Sequence, residues 1–139
     1  MSTTTAPTIA ERIAARLHAL DYDGLAELYR PDAVVDVSVP QWRYQLQGRP
    51  AIRQLLREER GYVESGGRVS SWRVTPTGDG LVAEVEVRFI QEGEERQWRE
   101  VHLFHTDGEA ITEHANYCTG IWDAATIARH ALEAPMVRR

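Results

Sequence analysis

Five side chains with useful chemistry stand at alternating positions late in the chain: Glu100, His102, His114, Asn116 and Cys118. They fall in two alternating segments, 98–105 and 111–117, on either side of Asp107-Gly108. A hairpin with a period of two would bring them to one face. A carboxylate hydrogen-bonded to a histidine, Glu100 with His102 or His114, makes a general base, because removal from water raises the carboxylate pKa while the imidazole holds a proton. Such a pair takes a proton α to a carbonyl or activates a water. Asn116 would position a substrate oxygen or stabilise an oxyanion. The competing reading is a cross-strand polar pair on a wet face. Two imidazoles and a carboxylate also suit zinc or non-haem iron, but Glu-x-His…His is not a diagnostic metal spacing, so no metal ligands are assigned.

The hairpin register decides which of these groups meet, and two registers are open. A turn over 106–108 sets Trp98 opposite Asn116, Glu100 opposite His114 and His102 opposite Thr112. A two-residue turn slips the pairing by one and sets His102 against Glu113, with Tyr117 near Trp98. The first is preferred, because it gathers Val101, Leu103, Ile111, Ala115 and Tyr117 into an apolar outer face. It also lines the inner face with Trp98, Glu100, His102, Phe104, His114, Asn116 and Cys118.

The elements that must hold this hairpin follow from periodicity. Ile9, Ile13, Leu17 and Leu20 form a helical stripe that Thr8 caps, with Glu11 three positions on. Residues 25–29 read as a second short helix, stopped by Arg30-Pro31. Residues 33–39 are a β-branched strand ended by Pro40. Residues 41–48 read as a loop carrying Trp42 and Tyr44, and 49–62 as a third helix with Pro50 in its first turn. From Arg68 the period changes to two. Segments 68–75, 81–91, 95–105 and 111–119 read as antiparallel strands joined by short turns. A last helix starts after Asp123 and ends before Pro135. Helices first and strands afterwards make an α+β domain: a curved antiparallel sheet wrapped by the N-terminal helices into a cone with an internal pocket. The divisions are a tail over 1–8, one domain over 9–134 and a short tail over 135–139.

Other candidates attach to this frame. Asp36 lies between Val35 and Val37 and could face either side of its strand. Tyr22 and Tyr29 come from the helices, and Trp42 and Tyr44 from the loop at the expected mouth. With Trp98, Phe104 and Cys118, the residues Tyr22, Trp42 and Tyr44 are the expected walls for an apolar or flat substrate. Cys118 reads as a small hydrophobe, since a nucleophile would need a lowered pKa. His18, His105 and His130 read as surface groups.

Composition bounds the function. With 139 residues, 42% hydrophobic and 27% charged, one soluble domain is expected. No apolar run reaches the roughly 20 residues of a membrane span, and the start lacks a signal sequence. A single cysteine excludes an intramolecular disulfide and points to a reducing, cytoplasmic home. A net charge of −5 argues against nucleic acid as partner. All 16 basic residues are arginines, which removes lysine Schiff-base chemistry, pyridoxal phosphate attachment and a phosphate-loop lysine.

Several local patterns resemble the SnoaL-like branch of the nuclear transport factor 2-like superfamily. They are Asp23-Gly-Leu-Ala-Glu-Leu-Tyr-Arg-Pro-Asp-Ala33, Gly48-Arg-Pro-Ala-Ile52, His102-x-Phe104, and Asp107-Gly108 followed by Ile111-x-Glu-His-x-Asn116. The likeness spans residues 9–122. It implies a superfamily of polyketide cyclases, steroid isomerases, epoxide hydrolases, dehydratases and members that only bind. In that family Glu-His-x-Asp often supplies the acid/base, and here the fourth position is Asn116. The resemblance also implies that a carboxylate on the early strand, Asp36 here, can act as acid/base, and that the outer sheet face is buried in a homodimer. The expected activity is proton transfer on a hydrophobic carbonyl compound by Glu100 with His102 or His114, without a cofactor. A non-catalytic binding or dimerisation domain is the alternative, and epoxide hydrolysis or metal-dependent chemistry a further one. Epoxide hydrolysis ranks lower because no second inner carboxylate is evident.

Overall fold

Thr8 opens the first helix by accepting the Glu11 amide proton at 3.1 Å. The computed structural model describes residues 5–64 and 66–138, so parts of the two expected tails, 1–4 and 139, lie outside the described residues. Helix α1 (Ile9–His18) buries Ile9 and Ile13, and α2 (Tyr22–Ala26) buries Leu25 and Ala26. Asp21 caps α2 by accepting the Gly24 amide at 2.9 Å, which starts it earlier than the expected 25–29. Tyr29 is therefore no helical residue. It is the first residue of strand β1 (Tyr29–Val39), and it is fully buried.

The expected loop over 41–48 is strand β2 (Trp42–Gln47). Gln41 adopts φ 62°, the left-handed region a tight hairpin turn requires, and the chain doubles back to pair with β1. Helix α3 (Arg49–Glu64) follows, two residues longer than expected. Then come β3 (Arg68–Pro76), β4 (Gly80–Gln91), β5 (Glu94–Thr106), β6 (Ile111–Cys118) and α4 (Ala124–Glu133). One six-stranded sheet results, in the order β2-β1-β6-β5-β4-β3. All its pairings are antiparallel except β1 with β6, which is parallel. Only a long crossover can join parallel neighbours, and here the rest of the fold forms that crossover. Among the described residues no helix is long and apolar enough to cross a membrane.

Curvature gives the sheet a concave side, and the helices fill it. Ile13, Leu25, Ile52 and Leu56 from the helices meet Val35, Leu81, Phe104 and Ile111 from the strands. Each such side chain, fully buried, stabilises the fold by about 1.5–3 kcal/mol.

The β5–β6 hairpin adopts neither expected register. Glu100 faces Cys118, His102 faces Asn116 and Phe104 faces His114. The slip from the preferred pairing is four residues, since Glu100 meets Cys118 in place of His114. Asp107 causes it by accepting the amides of Glu109 and Ala110, each at 2.9 Å, which holds a wider loop than a two- or three-residue turn. An even slip keeps every residue on its expected face. Ile111 is the exception: it is fully buried in the core and its amide donates to Leu28 O at 2.8 Å, so it does not belong to the outer face.

One glycine is required by close approach. A Cβ on Gly80 would sit 1.8 Å from the Phe104 carbonyl oxygen. Gly80→Ala is expected to cost about 3 kcal/mol by forcing β4 away from β5, read as a fall in urea midpoint at unchanged m-value.

Candidate active site

Strand β5 points Trp98, Glu100, His102 and Phe104 into the concave side, and β6 adds His114 and Asn116. All six are buried. Four of the buried groups form a continuous hydrogen-bonded chain. The Tyr29 hydroxyl lies 2.8 Å from His114 Nδ1. His114 Nε2 lies 2.8 Å from His102 Nδ1, and His102 Nε2 lies 2.8 Å from Glu100 Oε1. Asn116 Nδ2 donates to the other carboxylate oxygen at 3.3 Å, and the Trp98 side chain adds a further bond to Glu100. Phe104 stacks on the His114 ring at 4.1 Å between centroids and holds it in line.

These surroundings separate the protonation states. Burial works to raise the Glu100 pKa, but the charge and hydrogen bond of His102, with the Trp98 and Asn116 bonds, hold it below the ordinary carboxylate value. Burial disfavours charge on His102, and Glu100 outweighs that, so the His102 pKa rises. Among the described residues His114 has no carboxylate partner, its ring nitrogens facing Tyr29 and His102. Burial, with the charge of His102, keeps its pKa well below the ordinary histidine value.

A second carboxylate completes the site. Glu59, from the middle of α3, lies where two cavities meet, and burial followed by the charge of Glu100 lifts its pKa to about 8. The first cavity, about 350 Å³, is lined by Tyr22, Leu56, Val85, Phe104, His102 and His114 among others. The second, about 380 Å³, is lined by Tyr44, Leu55, Tyr62, Trp98, Asn116 and Cys118 among others. Glu59 and Glu100 border both. The two volumes lie in the range of small-molecule sites, with apolar walls and few convergent polar groups.

The model of the SnoaL-like domain family matches residues 10–114, most of the chain. The chain belongs to that family.

Solved structures agree on the fold of this SnoaL-like domain. An NTF2-like protein from Anabaena variabilis is 15% identical, with 86% of this chain and 96% of that one covered at a TM-score of 0.64. A putative isomerase from Rhodopseudomonas palustris is 15% identical, with 92% and 98% covered at 0.61. An LEH-like epoxide hydrolase from M. tuberculosis is 16% identical, with 91% and 94% covered at 0.56. No curated protein matches the sequence.

Within the SnoaL-like domain the expected site residues part company. Glu100, His102, His114 and Asn116 come together on the concave face, and Tyr22, Tyr44, Trp98, Phe104 and Cys118 border one cavity or the other. Asp36 does not join them. The inward positions of β1 are Ala33, Val35 and Val37, so Asp36 points to the convex face. There Arg43 Nε donates to it at 2.8 Å and Gln45 at 3.0 Å, and its pKa falls to about 2. Trp42 is 70% exposed on β2 and borders neither cavity. Asn116 is engaged differently from expectation: its amide holds Glu100 in place, while its buried Oδ1 has no partner among the described residues. Cys118 is half-buried and its thiol is pushed up to about 11, which leaves it protonated and a poor nucleophile.

Sequence reasoning missed three site residues. Glu59 was hidden in the charged run 57–60, although it continues the Ile52–Leu55–Leu56 stripe by a further turn. Tyr29 was placed at a helix end. His18 is exposed, as expected, but it also borders the first cavity with Trp72, their rings 4.5 Å apart. His105 and His130 stay outside the site, beside Asp79 and Trp122 respectively.

Proposed function

We propose that this domain is a small acid–base enzyme that moves a proton on a hydrophobic carbonyl compound, as an isomerase, cyclase or dehydratase does. The observation that carries the reading is the pairing of Glu59 and Glu100 at the border of two apolar cavities, with pKa values displaced in opposite directions. Two titratable groups pushed apart in this way divide into an acid and a base. Glu100, ionised and held by His102 and Asn116, removes the proton α to the carbonyl. Glu59, protonated through neutral pH, donates to the carbonyl oxygen to give the enol. Glu100 then returns its proton to another carbon, or to a β-hydroxyl that leaves as water, while the enol O–H gives its proton back to Glu59. Tyr22, whose phenol is held protonated by burial and the two carboxylates, is a further donor at the wall.

The test is turnover and α-proton exchange in D₂O across a panel of enones, β-hydroxy ketones and epoxides, with ligand affinity measured in parallel. Turnover that needs Glu100 and Glu59 supports the enzyme. Tight binding with no exchange and no turnover supports a binding domain.

Glu59 also favours a second reading, epoxide hydrolysis, by supplying the inner carboxylate that the sequence did not reveal. Glu100 would take a proton from water while Glu59 protonates the epoxide oxygen, and the hydroxide and the opened epoxide give a diol. Diol formation in the same panel separates the two readings.

Glu59 makes stability pH-dependent. Its folded pKa lies above the unfolded carboxylate value, so the native state holds more protons than the unfolded chain between about pH 4.5 and 8. Stability must fall as pH rises through that window. Glu59→Gln is expected to make the fall shallower, seen as a smaller drop in melting temperature between pH 5 and 8. The remainder is set by His102 and His114, whose folded pKa values are displaced up and down respectively.

A homodimer through the convex face belongs to the same reading. Val101, Leu103 and Tyr117 lie there, Tyr117 being 58% exposed, and a second copy would cover them. Light scattering is expected to give a dimer for the wild type and a monomer for Tyr117→Glu; a monomeric wild type ends the proposal.

A further inference from the structure

The buried chain from Tyr29 to Glu100 has a direction, and both ends fix it: the Glu100 carboxylate can only accept, and the Tyr29 hydroxyl has one acceptor within reach among the described residues. A neutral imidazole has one N–H and one acceptor nitrogen, so consecutive rings in contact must all donate the same way. Tyr29 is fully buried, and His114 Nδ1 is the only partner of its hydroxyl among the described residues. A buried hydroxyl hydrogen without an acceptor is costly, so Tyr29 donates and His114 Nδ1 accepts. His114 must then carry its proton on Nε2 and donate to His102 Nδ1. His102 in turn carries its proton on Nε2 and donates to Glu100.

We propose that the Tyr29 hydroxyl, acting with the acceptor-only Glu100 carboxylate at the other end, locks both histidines as Nε2–H tautomers and so keeps the His102 N–H aimed at Glu100, which makes Tyr29 and His114 positioning residues for the base. The lock rests on the hydrogen-bond geometry alone; its catalytic purpose rests on reading Glu100 as the base.

The arrangement is a lock, not a proton sink. A proton gained by Glu100 cannot pass to His102, whose Nε2 is already protonated, unless the whole chain reverses. Charging His102 does reverse it. The second N–H of His102 then points at His114 Nε2, His114 donates through Nδ1 to the Tyr29 oxygen, and the Tyr29 O–H loses its acceptor. Tyr29 therefore opposes the charging that Glu100 favours. The other titratable groups around His102 are Glu59 from α3, which also favours its charge, and His114 from β6, while Tyr22 from α2 lines the same cavity.

Tyr29→Phe takes this opposition away. In the variant one His114 nitrogen is unpaired whether or not His102 is charged, so charging no longer strands a group that was paired before.

Long-range proton–nitrogen NMR of the ¹⁵N-labelled imidazoles, recorded from pH 5 to 9, tests the lock without any substrate. In the wild type, at pH above the His102 transition, both rings are expected as Nε2–H tautomers, and His114 changes to Nδ1–H as His102 charges. In Tyr29→Phe the His102 midpoint is expected to rise by about one pH unit. His114 as Nδ1–H at high pH in the wild type overturns the proposal, as does an unmoved or lowered midpoint in the variant. Should the variant fail to fold, the wild-type tautomers decide. Tautomers as stated, in a protein whose turnover survives Glu100→Gln, would keep the lock but remove its role in catalysis.

Discussion

Glu100→Gln is expected to lower kcat by about 10²–10⁴-fold on any substrate the domain turns over, with ligand affinity nearly unchanged. Glutamine keeps the shape and can still accept the His102 Nε2–H through its amide oxygen, so the cavity and the buried chain survive. The charge is lost, and the new amide NH2 faces Asn116, whose side chain must turn so that its unpartnered Oδ1 accepts from it. That charge is what raises the His102 pKa, and it is the second cause of the raised Glu59 pKa after burial. The variant should therefore show His102 titrating lower and Glu59 ionising at lower pH than in the wild type. Steady-state kinetics and a ligand titration on the same preparation check both halves. An equal loss of affinity and turnover would mean that Glu100 holds the ligand and takes no proton from it.

Phe104→Ala is expected to cost about 3–5 kcal/mol, a large share of the 5–15 kcal/mol that stabilises an ordinary domain. Phe104 is 1% exposed and joins both parts of the account. It packs in the main hydrophobic cluster with Tyr29, Leu81 and Ile111, and it stacks on His114 at 4.1 Å. Removing the ring leaves a hole beside two imidazoles that depend on a dry surround for their displaced pKa values. Denaturant unfolding should show a large fall in midpoint at constant m-value. Phe104→Leu, which keeps most of the volume, should cost well under half as much. Equal costs for the two would show that the site collapses freely and that the ring is not what orders His114.

The hairpin shows why faces are more legible in sequence than partners. Side-chain alternation has a period of two, so Trp98, Glu100, His102 and Phe104 must share a face whatever the turn does. Partners depend on loop length, and the bonds from Asp107 to Glu109 and Ala110 widen the loop in a way that composition does not announce. The same rule explains Asp36. Its strand alternates Ala33, Val35 and Val37 inward, but β-branched residues on both sides of an aspartate leave the choice of face open until β2 brings Arg43 and Gln45 against it.

Glu59 was obscured for a different reason. A glutamate within Arg57-Glu58-Glu59-Arg60 reads as one more solvated charge, yet the helical period carries the buried face from Ile52 through Leu56 to position 59. A carboxylate on the apolar stripe of a helix is the signal that would have found it. Tyr29 needed more than periodicity, because its place at the head of β1 depends on Asp21 starting α2 early, so that the helix is over by Ala26. Its partner His114 is 85 positions away, beyond the reach of any local pattern.

Titration of the side-chain carboxyl carbons of Glu59 and Glu100 by ¹³C NMR tests the acid–base division most directly. Glu100 is predicted to ionise below the ordinary glutamate range and Glu59 near pH 8, in the unliganded protein at moderate salt. Two carboxyls that both titrate at an ordinary, solvent-exposed value would contradict it.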